Sequence, residues 1–103
     1  MLLTIAFIIT TAYSPDISQT DFQPCIASRN FNICEALDRG EKICANNCLP
    51  LGSTIKVPYY GECVVRDRMN KRYGCERFDV LFSKKSDAVK WEKKTFILNN
   101  GLN

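Results

Sequence analysis

The 103-residue chain contains no histidine. A cysteine nucleophile therefore lacks its usual partner base, and a zinc site lacks its usual nitrogen ligand. Six cysteines are present, so a zinc site built from thiolates alone stays open as an alternative use for them. The spacing of Cys44 and Cys48 is wider than in the usual zinc knuckle, and we expect neither a metal nor any other cofactor.

Long apolar runs are also lacking, and we expect no transmembrane segment. Residues 2–9 are apolar over a length typical of a signal peptide, but no basic residues precede them and they are too short to span a bilayer. Two interpretations stay open: residues 1–9 belong to an export signal, or residues 5–13 form a first β-strand. No repeat, low-complexity segment or linker divides the chain, which predicts one domain over residues 1–103.

Charge of one sign does not dominate, since 14 basic residues face 11 acidic ones for a net charge of +3. The basic residues concentrate at 66–77 and 84–94, and such a patch favours an anionic polymer as partner. Aromatic residues are too sparsely interleaved with them to indicate nucleic-acid binding, so we expect no nucleic acid.

An even number of cysteines in so short a chain predicts disulfides, and hence a secreted or envelope-associated protein in an oxidising compartment. Sequence does not decide among the many pairings. Our preferred pairing joins Cys25 to Cys34 and Cys63 to Cys75, which leaves Cys44 to Cys48. That last pair closes a very small loop, so its entropic benefit is small.

Periodicity predicts a mainly β fold. The runs with strand patterns are residues 54–57, 63–65, 77–82 and 95–98, with turn signals at 50–52 and 58–61. In the third run Phe78, Val80 and Phe82 share one face, so Asp79 points away from the core. An outward carboxylate is often only solvated surface, and this alternative stays open for Asp79.

A short helix is predicted between the last two strands. Ser83 or Ser86 would be its N-cap, and Ala88, Val89 and Trp91 would form its buried side. We expect Trp91 to belong to the core.

Six segments in this order resemble the 3D (Asp-Asp-Asp) domain of bacterial cell-wall enzymes. They are TAYSP at 11–15, QTD at 19–21, LPLGS at 49–53, DRMNKRY at 67–73, RFDVLF at 77–82 and DAVKWEKKT at 87–95. The resemblance implies a six-stranded double-psi β-barrel, with one short helix near the C-terminus, as in membrane-bound lytic transglycosylase A and, more distantly, expansins and family-45 endoglucanases.

The activity that the resemblance implies is lytic cleavage of peptidoglycan between N-acetylmuramic acid and N-acetylglucosamine, in bacterial cell-wall turnover. Asp79 matches the catalytic aspartate, which acts first as acid and then as base. Asp67 matches the aspartate that precedes it, and would keep Asp79 protonated as a like-charged neighbour. One departure is that Ala45, Asn46 and Asn47 stand where many relatives carry the third aspartate.

Further residues are candidates for substrate binding, each with a structural alternative. Asp21 could contact the glycan or cap backbone amides, and tyrosines in a small barrel often fill its edge rather than stack on a sugar. The candidates are Asp21, Gln19, Thr20, Tyr13, Arg68, Asn70 and Tyr73. For Arg68 and Asn70 the alternative is turn chemistry.

Other functions stay open beside the transglycosylase. One is a non-hydrolytic, expansin-like wall-binding module, and another is a small disulfide-stapled secreted protein such as an inhibitor or toxin. A hydrolysing variant of the enzyme would need room for a water between the two carboxyl groups. The partner expected is the peptidoglycan glycan strand, with a companion wall-binding protein as a further candidate.

Overall fold

The computed structural model describes residues 7–15 and 25–97. Within these ranges lie six strands, two α-helices and one 3-10 turn at Ser28–Asn30. In chain order the elements are β1 (Phe7–Tyr13), α1 (Ile33–Asp38), β2 (Ile43–Ala45), β3 (Thr54–Val57), β4 (Gly61–Asp67), β5 (Arg77–Leu81), α2 (Lys85–Trp91) and β6 (Lys94–Ile97). The fold is therefore mainly β, as predicted.

All six strands form one sheet in the order β3-β4-β2-β5-β1-β6. The pairs β1–β5 and β2–β4 are parallel, whereas β3–β4, β2–β5 and β1–β6 are antiparallel. The sheet curls into a half-barrel. The two edges of the sheet approach each other. The ring of Tyr59, in the β3–β4 turn, lies 6.0 Å from the ring of Phe96 in β6.

The main core lies on one face of the sheet. Alternate residues of β5, Phe78 and Val80, are fully buried there, and Trp91 closes the core from α2. The indole Nε1 of Trp91 donates a hydrogen bond to Thr10 Oγ1 at 3.1 Å, which satisfies the polar atom of a buried aromatic residue. The predicted core position of Trp91 and the shared face of Phe78 and Val80 are confirmed.

A second, smaller core lies on the opposite face of the sheet, under α1. Ile33 and Ala36 of α1 pack there against Ile43 of β2 and Leu81 of β5. Asn32 caps the helix, since its Oδ1 accepts a hydrogen bond from Glu35 N at 3.0 Å. The expectation of a single helix is therefore wrong, because this capped turn has enough apolar surface to pack on the sheet.

Helix α2 also differs in detail from the prediction. Neither Ser83 nor Ser86 is its N-cap: that position is Lys84, whose side chain makes no capping hydrogen bond. Ala88 and Trp91 are buried as predicted, but Val89 is 62% exposed. Residues three apart share a helix face, whereas Val89 is turned about 100° from Ala88, so it faces outward.

Three disulfides use all six cysteines. The predicted Cys25–Cys34 bridge is confirmed, but the pairings Cys63–Cys75 and Cys44–Cys48 are wrong. The structure instead joins Cys44 to Cys63 and Cys48 to Cys75. Since β2 and β4 are neighbours, the Cα atoms of Cys44 and Cys63 lie only 5.8 Å apart.

The three bridges leave no free thiolate for the zinc alternative, and they are typical of proteins in an oxidising, extracytoplasmic compartment. Within residues 7–15 and 25–97, no helix has the length and apolarity needed to cross a membrane.

Candidate functional site

A row of four residues crosses the face of the sheet opposite the main core. Ala45 of β2 pairs with Asp67 of β4 on one side and with Asp79 of β5 on the other, and Asp79 pairs with Thr11 of β1. Directly paired residues on adjacent strands project from the same face. The register between β2 and β4 shifts by one residue between Cys44 and Ala45, so Asp67 lies opposite Ala45 although Val65 lies opposite Cys44. Asp67 and Asp79 are two strands apart, which separates their Cα atoms by about 10 Å at the usual strand spacing.

Asp79 is half-buried, and its Oδ1 accepts a hydrogen bond from Thr11 Oγ1 at 3.0 Å. Burial raises the pKa of Asp79 from 3.8 to about 6. The hydrogen bond from Thr11 and the charge of Arg77 act in the opposite direction, and the charge of Asp67 adds a smaller upward contribution to the pKa. Asp79 can therefore hold a proton close to neutral pH and donate it to a bound group.

Asp67 has a different environment, rich in hydrogen-bond donors. Its Oδ1 accepts hydrogen bonds from Ser28 N at 3.2 Å, Ser28 Oγ at 3.1 Å and Arg68 N at 2.9 Å. These contacts fix the orientation of the carboxylate and tie the segment after Cys25 to the end of β4. The two aspartates therefore differ in their surroundings: Asp79 accepts a hydrogen bond from Thr11, whereas Asp67 accepts three from Ser28 and Arg68.

Tyr13 lies at the same face, opposite Leu81 in the β1–β5 ladder. Tyr13 as a whole is partly exposed, but its hydroxyl oxygen is buried and has no hydrogen-bond partner in the described structure. Burial raises the pKa of Tyr13 well above its usual value, with further contributions from the charges of Asp67 and Asp79. Both carboxylates therefore act electrostatically on this hydroxyl.

Tyr73 lies beside Asp79 and carries two guanidinium groups over its ring. The Cζ of Arg77 is 4.4 Å, and that of Arg72 4.9 Å, from the ring centroid. Arg72 Nη2 also donates a hydrogen bond to the Tyr73 hydroxyl at 2.9 Å, which lowers the pKa of Tyr73. The sequence predicted Tyr73 as a candidate binding residue, but not Arg72 or Arg77. The strand pattern could have identified Arg77 as a site residue, because it is two residues before Asp79 and therefore projects from the same face.

Arg68 and Asn70 make contacts that shape the loop after β4. Arg68 Nη1 donates hydrogen bonds to the carbonyl oxygens of Asn46 and Leu49. The Asn70 carbonyl accepts one from Asn47 Nδ2 at 2.9 Å, and Asn70 Oδ1 accepts one from the main chain of Arg72. These contacts correspond to the turn-chemistry alternative for both residues.

Asn46 was not predicted to have a role of its own, but it joins three segments below the site. It is fully buried, and its Nδ2 donates to the carbonyls of Cys75 and Arg77, each at 2.9 Å. Its Oδ1 accepts from the amides of Cys48 and Leu49, also at 2.9 Å. An asparagine one residue after a short strand gives little sequence signal for these contacts, two of which are nonlocal.

A cavity of about 230 Å³ opens beside Asp67. Ser28, Arg29, Phe31, Leu51 and Arg66 line it. Arg66 is already paired, since its Nε lies 2.8 Å from Glu41 Oε2 and its guanidinium covers the ring of Phe31.

Three of the predicted substrate contacts, Gln19, Thr20 and Asp21, lie outside the described residues. The described structure brings Tyr13, Asp67, Asp79 and Tyr73 to one region of one sheet face.

Comparison with known protein families and with curated proteins finds no match for this chain.

Proposed function

We propose that this protein is a bacterial lytic transglycosylase that cleaves peptidoglycan between N-acetylmuramic acid and N-acetylglucosamine, with Asp79 as general acid and base. One observation carries the proposal: a half-buried carboxyl with a pKa of about 6 lies in a sheet row with a second carboxylate. A glycosidic oxygen is a weak base, so its cleavage needs an acid that is still protonated near neutral pH.

In the first step of the proposed mechanism, protonated Asp79 transfers its proton to the glycosidic oxygen. The bond from that oxygen to the muramoyl anomeric carbon breaks, and the leaving sugar takes the proton as a hydroxyl. Ionised Asp79 then accepts the proton of the C6 hydroxyl of the same muramoyl residue, whose oxygen bonds to the anomeric carbon. The product is a 1,6-anhydro sugar, no water is consumed, and Asp79 returns to its protonated form.

Asp67 is assigned the role of an electrostatic partner. Its carboxylate is held by Ser28 and Arg68 and lies on the same face as Asp79. Positive charge that develops at the anomeric carbon would be stabilised by a carboxylate fixed in this way. Thr11 is a positioning residue, because its hydroxyl orients the carboxyl group of Asp79.

The resemblance to the 3D domain supports this assignment and, with it, a double-psi arrangement of the curled sheet. Segments that carry the resemblance supply Thr11 and Tyr13 of β1, Asp67 at the end of β4 and Asp79 of β5. Ala45 lies between the two aspartates, in the neighbourhood where the resemblance implies a third aspartate. The proposed reaction uses only the two that are present.

The test is mass spectrometry of soluble products after the oxidised protein is incubated with purified peptidoglycan. We expect anhydro-muropeptides from the wild type and from Asp87→Asn, a control that alters an exposed carboxylate of α2. Asp79→Asn should release none. Products with reducing ends would show that the protein hydrolyses the glycosidic bond and does not form an anhydro sugar. Wall binding without any product would instead favour the expansin-like module.

A further inference from the structure

Arg72 and Arg77, termed here the arginine pair, have no assigned role in the mechanism above, and Arg77 is close enough to Asp79 for its charge to lower the pKa of that carboxyl. Both guanidinium groups lie over the ring of Tyr73, at 4.9 and 4.4 Å from its centroid. Tyr73 also receives a hydrogen bond from Arg72 at 2.9 Å. The ring of Tyr73 therefore contacts two positive charges, each attracted to the aromatic ring by a cation–π interaction.

Within the described parts of the chain, neither arginine of the pair forms an ion pair with a carboxylate. The ion pair found there joins Arg66 to Glu41. The Nε of Arg77 is buried and makes no hydrogen bond there. A buried donor without an acceptor is unfavourable, because it has lost its hydrogen bonds to water without replacing them. An anion bound beside the guanidinium is one way to offset such a cost.

The chemistry of the missing partner follows from the donors. A guanidinium presents N–H groups in a planar fork that matches the two oxygens of a carboxylate. We propose that the arginine pair, held by Tyr73, binds a carboxylate of the glycan substrate close to the bond that Asp79 cleaves. This inference rests on the proposed function, since the substrate it names carries carboxylates on its lactyl groups or peptide stems.

Binding of this carboxylate would also act on the acid. The positive charge of Arg77 lowers the pKa of Asp79 in the free protein. A bound anion that neutralises Arg77 removes this effect, so the pKa of Asp79 rises and its proton is retained at higher pH. A substrate that carries the carboxylate would therefore promote protonation of the group that attacks its own glycosidic bond.

Isothermal titration calorimetry with three soluble tetrasaccharides tests the proposal. All contain alternating N-acetylglucosamine and N-acetylmuramic acid; one has free lactyl carboxylates, one has lactyl methylamides, and one carries peptide stems with free carboxylates. We expect an anionic form to bind the wild type about tenfold more tightly than the methylamide, as one charge-assisted contact implies. Whether the lactyl or the stem form shows the preference identifies the carboxylate.

Matched variants locate the contact. Arg72→Gln should reduce the preference severalfold, and Arg77→Lys should abolish it because lysine lacks the planar fork. Lys56→Gln removes the same unit of charge from exposed β3 and should leave the preference unchanged. Circular dichroism and the mass of the disulfide-bonded species confirm folding, and Arg72 is exposed, so its variant remains informative if Arg77→Lys does not fold.

Two outcomes would overturn the inference: equal binding of all three ligands by the wild type, or a preference that persists in Arg72→Gln and every folded Arg77 variant. These outcomes are distinct from failure of the proposed function. If peptidoglycan yields no cleavage products but the arginine-dependent preference is present, the catalytic proposal fails and the carboxylate site stands. If products form without a preference, only the carboxylate site is refuted.

Discussion

Replacing Asp79 by asparagine should stabilise the protein at high pH while it removes the proposed activity. Burial raises the pKa of Asp79 from 3.8 to about 6 in the folded state. Between these values the folded protein binds more protons than the unfolded chain, so its stability falls as the pH rises through this window. Above about pH 6 the folded state carries the full cost of an ionised, half-buried carboxylate.

The magnitude follows from the shift. Each pKa unit corresponds to about 1.4 kcal/mol, so the ionised form costs at most about 3 kcal/mol. The side chain retains some contact with solvent, and we expect the measurable part to be about 2 kcal/mol. Asparagine is nearly the same size, and its amide oxygen can still accept the hydrogen bond from Thr11. Asp79→Asn should therefore gain about 2 kcal/mol at pH 8 and almost nothing at pH 4.

Guanidinium chloride unfolding at pH 4 and pH 8, with the disulfides intact, measures both values. Asp87→Asn serves as the control because Asp87 is exposed in the first turn of α2. Its loss of a favourable helix-dipole interaction should lower stability by only a few tenths of a kcal/mol. An equal effect of Asp79→Asn at the two pH values would refute the reasoning, since it would show that burial does not penalise the ionised carboxylate.

Three other substitutions test contacts around the site by the same unfolding measurement. Tyr13→Phe removes a buried hydroxyl that has no hydrogen-bond partner and should raise stability by about 1 kcal/mol; a decrease would reveal a partner for that hydroxyl. Asn46→Ala removes four hydrogen bonds of a fully buried side chain and should lower stability by about 3 kcal/mol or more; a loss below 1 kcal/mol would contradict its bridging role. Replacing Cys44 and Cys63 together by alanine should cost about 3 kcal/mol, and unchanged stability would argue against this disulfide pairing.

Local patterns predicted several strands, including the one that carries Asp79. The strand expected at residues 54–57 is Thr54–Val57, and the one expected at 77–82 is Arg77–Leu81. The alternation within that strand also gave the side of Asp79, away from the buried Phe78 and Val80. These predictions succeeded because strand alternation depends only on a short segment and its period of two.

Nonlocal pairings could not be predicted in the same way. β2 has only three residues, Ile43–Ala45, too few for a periodic signal, yet it lies between β4 and β5 and sets their separation. The Cys44–Cys63 bridge depends on this placement, which explains why spacing along the chain suggested other partners. The row of site residues depends on it as well, because Ala45 is the residue to which both aspartates are paired.

The position of Ala45 also decides what controls the proton on Asp79. The sequence suggested that Asp67 would raise the pKa of Asp79 as a close like-charged neighbour, but β2 separates the two by about 10 Å at the Cα atoms. At this distance, and with an effective dielectric constant near 20, two charges interact by only about 1.7 kcal/mol before screening. Burial is accordingly the largest cause of the raised pKa, and Asp67 the smallest. A third carboxylate at position 45 would lie about 5 Å from both at the Cα atoms. Its interaction with Asp79 would be about twice as strong as that of Asp67 and would add to it, so alanine there leaves the pKa of Asp79 under the control of burial, Thr11 and Arg77.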